Sequence, residues 1–409
     1  MSKIVLLTDD YPPLSFGGAG IVAKNLATEL VARGHQVSVI TTVRQADWAG
    51  ESLEAGITVY KIYSSYPEFW RAYLGVHHPV VLVELKKILT KIRPDIVHAH
   101  NLHYHLSWAA LSLARTFTSA VFLTAHDTQS FAYGKVFPRD GRTDYRLNFF
   151  DLWRSAGKRF NPLRNWFIHR HLNQVAKIFC VSYSLEQALK ANGIGNTATI
   201  HNGINSADWV APTALIEATK HKYNLSDKKV VLFAGRLSGA KGGQRLVEAF
   251  EQVAEKEPSA RLLVLGQDQG YAETLKNYIA SRDLSAKIIF SGWLSGPDLI
   301  AAYWTADVVV VPSLYLDPFP TVNLEAMACH KPVLGTCWGG TPEAVVDGQT
   351  GLIVDPTVVG NLGSKFLALL ADPARLRQMG EAGYNRVSTE LSLARQTDAV
   401  LDWYQKFQV

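Results

Sequence analysis

Long apolar runs, cysteine and charge of one sign are all scarce in this 409-residue chain. No apolar run approaches the roughly 18 residues of a membrane span, and stretches such as Val308–Val311 are strand-sized. The three cysteines, Cys180, Cys329 and Cys337, are odd in number, dispersed and without a CxxC pair. That excludes a disulfide framework and reads as buried thiols in a reducing compartment. Lys and Arg number 41 against 36 Asp and Glu, a net charge of +5, too small over this length to imply nucleic-acid binding. The apolar start, Met1–Leu7, is short and followed by Asp9-Asp10, so no signal peptide is expected. No internal repeat stands out, and no His/Asp/Glu group has a compelling metal-ligand spacing. What is present, 47% hydrophobic and 19% charged residues, is ordinary globular composition. It excludes disorder, collagen and coiled coil. At about 150 residues per domain the length suggests two or three domains, each with a real core. The expectation is a soluble cytoplasmic α/β enzyme.

The first sixty residues set the organisation. Ile4–Thr8 reads as a strand buried on both faces, followed by a glycine-rich loop (Phe16, Gly17, Gly18, Ala19, Gly20). A helix is expected over Ile21–Arg33, with Ile21, Val22, Leu26, Leu30 and Val31 marking its apolar face; Gly34 ends it, and Gln36–Thr42 is the next strand. A helix over Pro79–Arg93 and strands at Asp95–Ala99, Ala120–Thr124 and Lys177–Val181 continue the series. A second series has strands at Val230–Ala234, Arg261–Leu265, Lys287–Phe290, Val308–Val311, Pro332–Gly335 and Leu352–Val354. Such alternation predicts parallel sheets with right-handed crossovers. The polar, strand-free stretch 205–228 divides the chain into two Rossmann-like domains, 1–205 and 206–390. Residues 131–170 are anomalous, with nine Lys/Arg against three Asp/Glu and ten aromatics in forty positions. Two readings stand side by side: an insertion packed by its aromatics, or a patch for an anionic membrane surface or a lipid-linked acceptor.

In open parallel sheets, ligands bind beyond the carboxyl ends of the strands. After Val230–Ala234 come Gly235, Arg236 and Leu237, then Lys241, Gly242 and Gly243. Two cations amid glycines and ahead of a helix suit a diphosphate, or form a plain surface turn. After Val308–Val311 come Asp317, Pro318, Phe319, Pro320 and Thr321, with Glu325 in a helix over Asn323–Ala328. Two carboxylates there suit sugar and ribose hydroxyls, or reflect the acidic bias of a helix start. Gly339-Gly340-Thr341-Pro342-Glu343 follows another strand. In the first domain, Thr124-Ala125-His126-Asp127 ends a strand, and His126 can touch substrate or serve acid–base work; His98 and His100 read as structural.

The combined pattern resembles the retaining, family-four glycosyltransferases of GT-B fold. Gly17-Gly18-Ala19-Gly20 and Arg33-Gly34-His35-Gln36-Val37 are similar to their amino-terminal loop and helix. Pro94-Asp95-Ile96-Val97-His98-Ala99-His100, His201-Asn202-Gly203-Ile204-Asn205 and Gly235-Arg236-Leu237 with Lys241-Gly242 match further motifs. The segment from Pro312 to Pro356 is the most specific, and the resemblance runs over almost the whole chain. It implies two facing Rossmann-like domains, with a final helix, about 391–409, returning to the first, where Trp403 and Tyr404 pack. It implies transfer of a hexose-type sugar from a UDP- or GDP-linked donor to a glycan, lipid-linked or small-molecule hydroxyl acceptor, without metal or cofactor. Arg236 and Lys241 would hold the diphosphate, Glu325 the ribose and Asp317 the sugar. Leu294, Phe319, Pro320 and Thr321 would lie against the donor, His126 beside its sugar, and Gly17 and Gly18 by its phosphates.

Three positions depart from the family pattern: Asp317 stands where Glu is usual, and Pro320 and His330 where glycine is common. The residues also admit different functions. Gly18-Ala19-Gly20-Ile21-Val22-Ala23 satisfies a dinucleotide fingerprint, but it lies nine residues past the strand and no acid closes the second strand. A nucleotide-sugar epimerase of the same fold and a catalytically silent sugar-nucleotide-binding scaffold also fit the pattern.

Overall fold

The computed structural model describes residues 1–13, 17–138, 144–266 and 270–407. Phe16 of the glycine-rich loop, part of the 131–170 segment and the last two residues lie outside them. The chain divides into two compact units: 1–136, 144–202 and 393–409 form the first, and 137–143 with 203–392 the second.

The first unit is built on an eight-stranded sheet. Its strands are β1 (Lys3–Thr8), β2 (Gln36–Val43), β3 (Gly50–Glu54), β4 (Ile57–Tyr63), β5 (Ile96–His100), β6 (Ala120–Ala125), β7 (Lys177–Cys180) and β8 (Thr197–Thr199), in the order β3-β4-β2-β1-β5-β6-β7-β8. Every pairing is parallel except β3 with β4, a hairpin at the sheet edge. The parallel strands are apolar runs because helices cover both faces: all five residues of β5 and all six of β6 are buried. The first helix starts earlier than its apolar pattern suggests, at Gly18, and runs to Ala32. It buries Val22, Ala23, Leu26, Ala27 and Leu30 and leaves Ile21 40% exposed, because Ile21 lies off the stripe that meets the sheet.

The second unit has a six-stranded, wholly parallel sheet: β9 (Lys229–Ala234), β10 (Ala260–Leu265), β11 (Ile288–Gly292), β12 (Val308–Val311), β13 (Val333–Thr336) and β14 (Gly351–Val354), ordered β11-β10-β9-β12-β13-β14. Its core joins Val231, Phe233, Leu262 and Val310 to Leu246, Phe250 and Phe366 from the covering helices. The polar stretch after Asn205 carries a helix, Thr213–Lys222, within this unit.

The last helix, Leu393–Phe407, belongs to the first unit. Arg33 binds Asp398 and, at 3.1 Å, Ala394 O. Tyr404 is buried and its hydroxyl lies 2.7 Å from His98 Nδ1, while Trp403 packs 6.2 Å from Phe179. The described part of 131–170 is divided between buried and exposed aromatics. Phe131, Tyr133 and Tyr145 are buried, whereas Phe149, Phe150 and Trp153 on the helix Phe149–Ala156 are exposed. Among the described residues no helix is long and apolar enough to cross a membrane.

Candidate functional site

In the second unit the loops after β9, β12 and β13 converge at the carboxyl edge of the sheet. Gly242 makes the first junction: its φ is +76°, and a Cβ there would lie 2.1 Å from Pro312 O. Only glycine combines that backbone with that approach. Leu314 N–H donates to Ala240 O at 2.8 Å, and Gly340 N–H to Asp317 O at 2.9 Å, so each loop is tied to the next.

Lys241 and Asp317, 76 positions apart, meet in this junction, with Nζ 2.6 Å from Oδ2. Ser313 donates its hydroxyl to the same oxygen at 2.7 Å. The carboxylate is nearly enclosed at 7% side-chain exposure, while the lysine, at 27%, still reaches solvent. Burial works against the ammonium, but Asp317 and Tyr315 outweigh it and raise Lys241 above its ordinary value. The shorter Asp317 therefore reaches the lysine without the missing methylene.

Glu325 lies in the helix Thr321–Ala328 and accepts the hydroxyl of the fully buried Tyr303 at 2.6 Å. Enclosure pushes its carboxyl upward, opposed by hydrogen bonds from Tyr303 and Thr321. Phe319 and Pro320 are buried on the approach to this helix, and Asn323 donates to Thr341 Oγ1 at 3.2 Å. Arg236 is not drawn into the Lys241–Asp317 pair; it is exposed and forms no ion pair among the described residues. Leu294 is half-buried in the segment after β11.

The first unit places Gly17 and Gly18 at the start of its first helix, as N-cap and first residue. His126 follows β6, and its Nε2 lies 3.0 Å from His100 Nδ1. Its backbone N–H donates to Asn101 Oδ1 at 3.2 Å. Burial pushes the imidazole down to about 4 against the pull of Asp127, so it is neutral at pH 7. His98 is a core residue between Tyr404 and Thr124, both at 2.7 Å, as its sequence position suggests. His100, by contrast, braces His126. Ser313, Tyr303, Tyr315 and Asp9 are missed by sequence reasoning. Asp9 and Ser313 carry a signal, their places just after β1 and β12. Asp9 accepts the backbone N–H groups of Tyr104, His105 and Leu106 at 2.7, 2.8 and 2.7 Å, which anchors the loop after β5. Among the described residues no group of three or more His, Cys, Asp or Glu is placed to hold a metal ion.

Residues 16–208 match the family model described as Glycosyltransferase Family 4, and residues 216–386 match that described as Glycosyl transferases group 1. An uncharacterized glycosyltransferase of Methanocaldococcus jannaschii is 28% identical over 370 residues, 87% of this chain and 85% of that protein. A glycogen synthase of Mycobacterium tuberculosis is 25% identical over 411 residues, 95% of this chain and 91% of that one. The solved sucrose-phosphate synthase of Thermosynechococcus elongatus shares the fold with a TM-score of 0.79 and 22% identity, over 99% of both chains. The two Rossmann-like units are those of the GT-B fold.

Proposed function

The chain belongs to the family 4, group 1 glycosyltransferases, and we propose from this that it is a retaining hexosyltransferase that needs no metal. In this reading it takes a UDP- or GDP-linked sugar and transfers the sugar to a hydroxyl acceptor. The observation that supports it most directly is Lys241, held on Asp317 at 2.6 Å at the carboxyl edge of the second sheet.

An ammonium has three donors. Asp317 and Tyr315 each take one, which leaves one for a diphosphate oxygen. Arg236, exposed and without an ion pair among the described residues, supplies the second cation. Two positive groups stabilise the charge that grows on the leaving diphosphate, the task a divalent cation performs elsewhere. Ser313 and Lys241 both engage Oδ2 of Asp317, and in this reading the same carboxylate takes a sugar hydroxyl. In this reading Glu325 takes the ribose hydroxyls. Both carboxylates are thus engaged by neighbours, an arrangement suited to same-face attack by the acceptor oxygen rather than to a covalent glycosyl intermediate. The acceptor proton leaves on the departing phosphate. His126, neutral at pH 7, acts by hydrogen bonding and not by charge.

Lys241→Ala and Glu325→Ala should each lower turnover by about 100-fold or more with the circular dichroism unchanged. Wild-type turnover in both variants would sink the assignment. Thermal shifts with UDP, GDP, ADP and CMP identify the donor class, and nucleotide binding without transfer in the wild type would favour the scaffold reading.

The acceptor side includes a membrane candidate. Phe149, Phe150 and Trp153 are 58, 74 and 57% exposed beside Arg154 and Lys158. Apolar rings flanked by cations suit an anionic lipid surface. Sedimentation with vesicles containing phosphatidylglycerol should show binding that falls between about 50 and about 500 mM salt as screening grows; absence of any salt-sensitive binding rejects it.

A further inference from the structure

The first unit contains a second concentration of positive charge, apart from the residues assigned above. A cleft of about 330 Å³, counting its open mouth, is lined by Arg71, Arg159, Arg164, His103, Gln129 and Tyr133 among others. Inside, it narrows to room for one water-sized group, such as a single oxygen of a larger ligand seated in the mouth.

Arg164 is the unusual member. It is 5% exposed, and its guanidinium meets only two acceptors among the described residues, Asn165 Oδ1 at 2.7 Å and Gln129 O. No carboxylate pairs with it among those residues. A buried, unpaired guanidinium is costly unless an anion is meant to join it. Burial indeed lowers Arg164 to about 10, helped by Arg71 and opposed by Tyr133 and Asp127.

Arg71 likewise forms no ion pair among the described residues. Its guanidinium lies 3.8 Å from the centroid of Tyr104, with Nε 3.5 Å from His103 O. Arg164 lies 4.6 Å from the centroid of Tyr133. Stacking on an aromatic face fixes the plane of a guanidinium and leaves its N–H edge for a ligand. Arg159 is the third cation, paired with Glu68 at 2.8 Å. The nearby carboxylate Asp127 is already engaged by Asn101 Nδ2 at 3.0 Å and Gln129 N–H at 2.8 Å. His103 is kept neutral by burial, at about 4.

We propose that this cleft is a phosphate subsite, in which the edges of Arg71 and Arg164, with Arg159 at the rim, hold a phosphate group carried by the acceptor. Planar, stacked arginines suit paired phosphate oxygens better than a single carboxylate or a neutral hydroxyl. The phosphate can belong to a soluble phosphomonoester or to a lipid headgroup. That it serves an acceptor rests on the glycosyltransferase reading; its affinity for phosphate does not.

The test uses the full chain at constant ionic strength, titrated calorimetrically with inorganic phosphate and with glycerol 3-phosphate. UDP and GDP are titrated separately as controls for the second unit. Saturable phosphate binding is expected in the wild type, weakened about tenfold or more in Arg71→Gln and in Arg164→Gln. Arg71 is half-buried and answers the question even where loss of the enclosed Arg164 impairs folding. Nucleotide affinity should be unchanged in Arg71→Gln. No saturable phosphate binding, or wild-type affinity in a folded Arg71→Gln, overturns the proposal. Phosphate binding without UDP or GDP binding leaves the subsite standing and removes the UDP- or GDP-linked donor from the reading. Vesicles of phosphatidylglycerol and phosphatidylcholine separate the sources. Competition between glycerol 3-phosphate and vesicles, lost in Arg71→Gln, assigns a lipid headgroup; phosphate binding that leaves sedimentation unaffected assigns a soluble phosphate. Both outcomes support the subsite.

Discussion

His330 is a single position at which sequence and structure together explain more than either does alone. It stands where the family pattern often has glycine, and its φ is +57°, in the region that favours glycine. The imidazole offsets that strain by stacking on Tyr384, with centroids 4.0 Å apart and planes at 11°, and by approaching Glu381 Oε1 to 3.0 Å. His330→Ala should lose the stack and keep the strain, while His330→Gly should lose the stack and relieve the strain. Denaturant unfolding should therefore find the glycine variant more stable than the alanine variant, by about 0.5–1 kcal/mol. Equal stability, or the reverse order, removes strain from the account. The residue type alone conveys none of this, because neither φ nor the stacking partner 54 positions away is written locally.

At the scale of elements, legibility follows burial. The strands of the second sheet are visible in the sequence: β12 is four buried valines and its neighbours β9 and β13 are apolar on both faces, while the half-exposed edge strand β11 shows only through its apolar start, Ile288–Phe290. In the first sheet β3 and β4 are absent from the strands expected: Leu53 is 74% exposed and Gly50–Glu54 has no apolar alternation, whereas Ile57–Tyr63 buries Ile57, Val59, Tyr60 and Ile62 and is passed over all the same. The three-residue β8 is too short to show a period. The candidate site is legible as positions after strands, but its pairings are not. Nothing local says that Lys241 meets Asp317, or that Tyr303 holds Glu325. These contacts depend on how closely loops approach, and Gly340 sets one such approach. A Cβ there would lie 2.0 Å from Pro318 O. Gly340→Ala should push the 317–320 loop outward, cost about 1–3 kcal/mol and weaken nucleotide binding. Calorimetric titration with UDP or GDP beside thermal unfolding checks both, and wild-type values for the two would show that the loop has slack.

At the scale of the whole molecule, the two units should respond unequally to acid. Burial holds His98 and His105 at about 3, and His103, His126 and His171 at about 4, all in the first unit. Each is near 6.5 when unfolded. Below that value the unfolded chain takes up protons that the folded unit refuses. The stability these histidines carry is complete above about pH 6.5 and is lost as pH falls toward their folded values. The slope is about 1.4 kcal/mol per pH unit for each fully titrating histidine. Asp9 opposes them: burial raises it to about 6, despite three backbone N–H donors, so its contribution is present at low pH and lost as pH rises through about 6. One carboxyl cannot offset five imidazoles. In the second unit Asp307 and Glu325 are both raised, chiefly by burial, which favours that unit on acidification. Calorimetry between about pH 7.5 and about pH 5 should therefore resolve two transitions, the first unit's falling more steeply. A stabilising nucleotide, bound by the second unit in the reading proposed above, identifies that unit's transition. Transitions that fall in parallel, or a second unit that melts first as the pH is lowered, would mean that the buried imidazoles are hydrated enough to titrate normally. His126 would then still be mostly neutral at pH 7 but would gain charge as the pH fell through about 6.5.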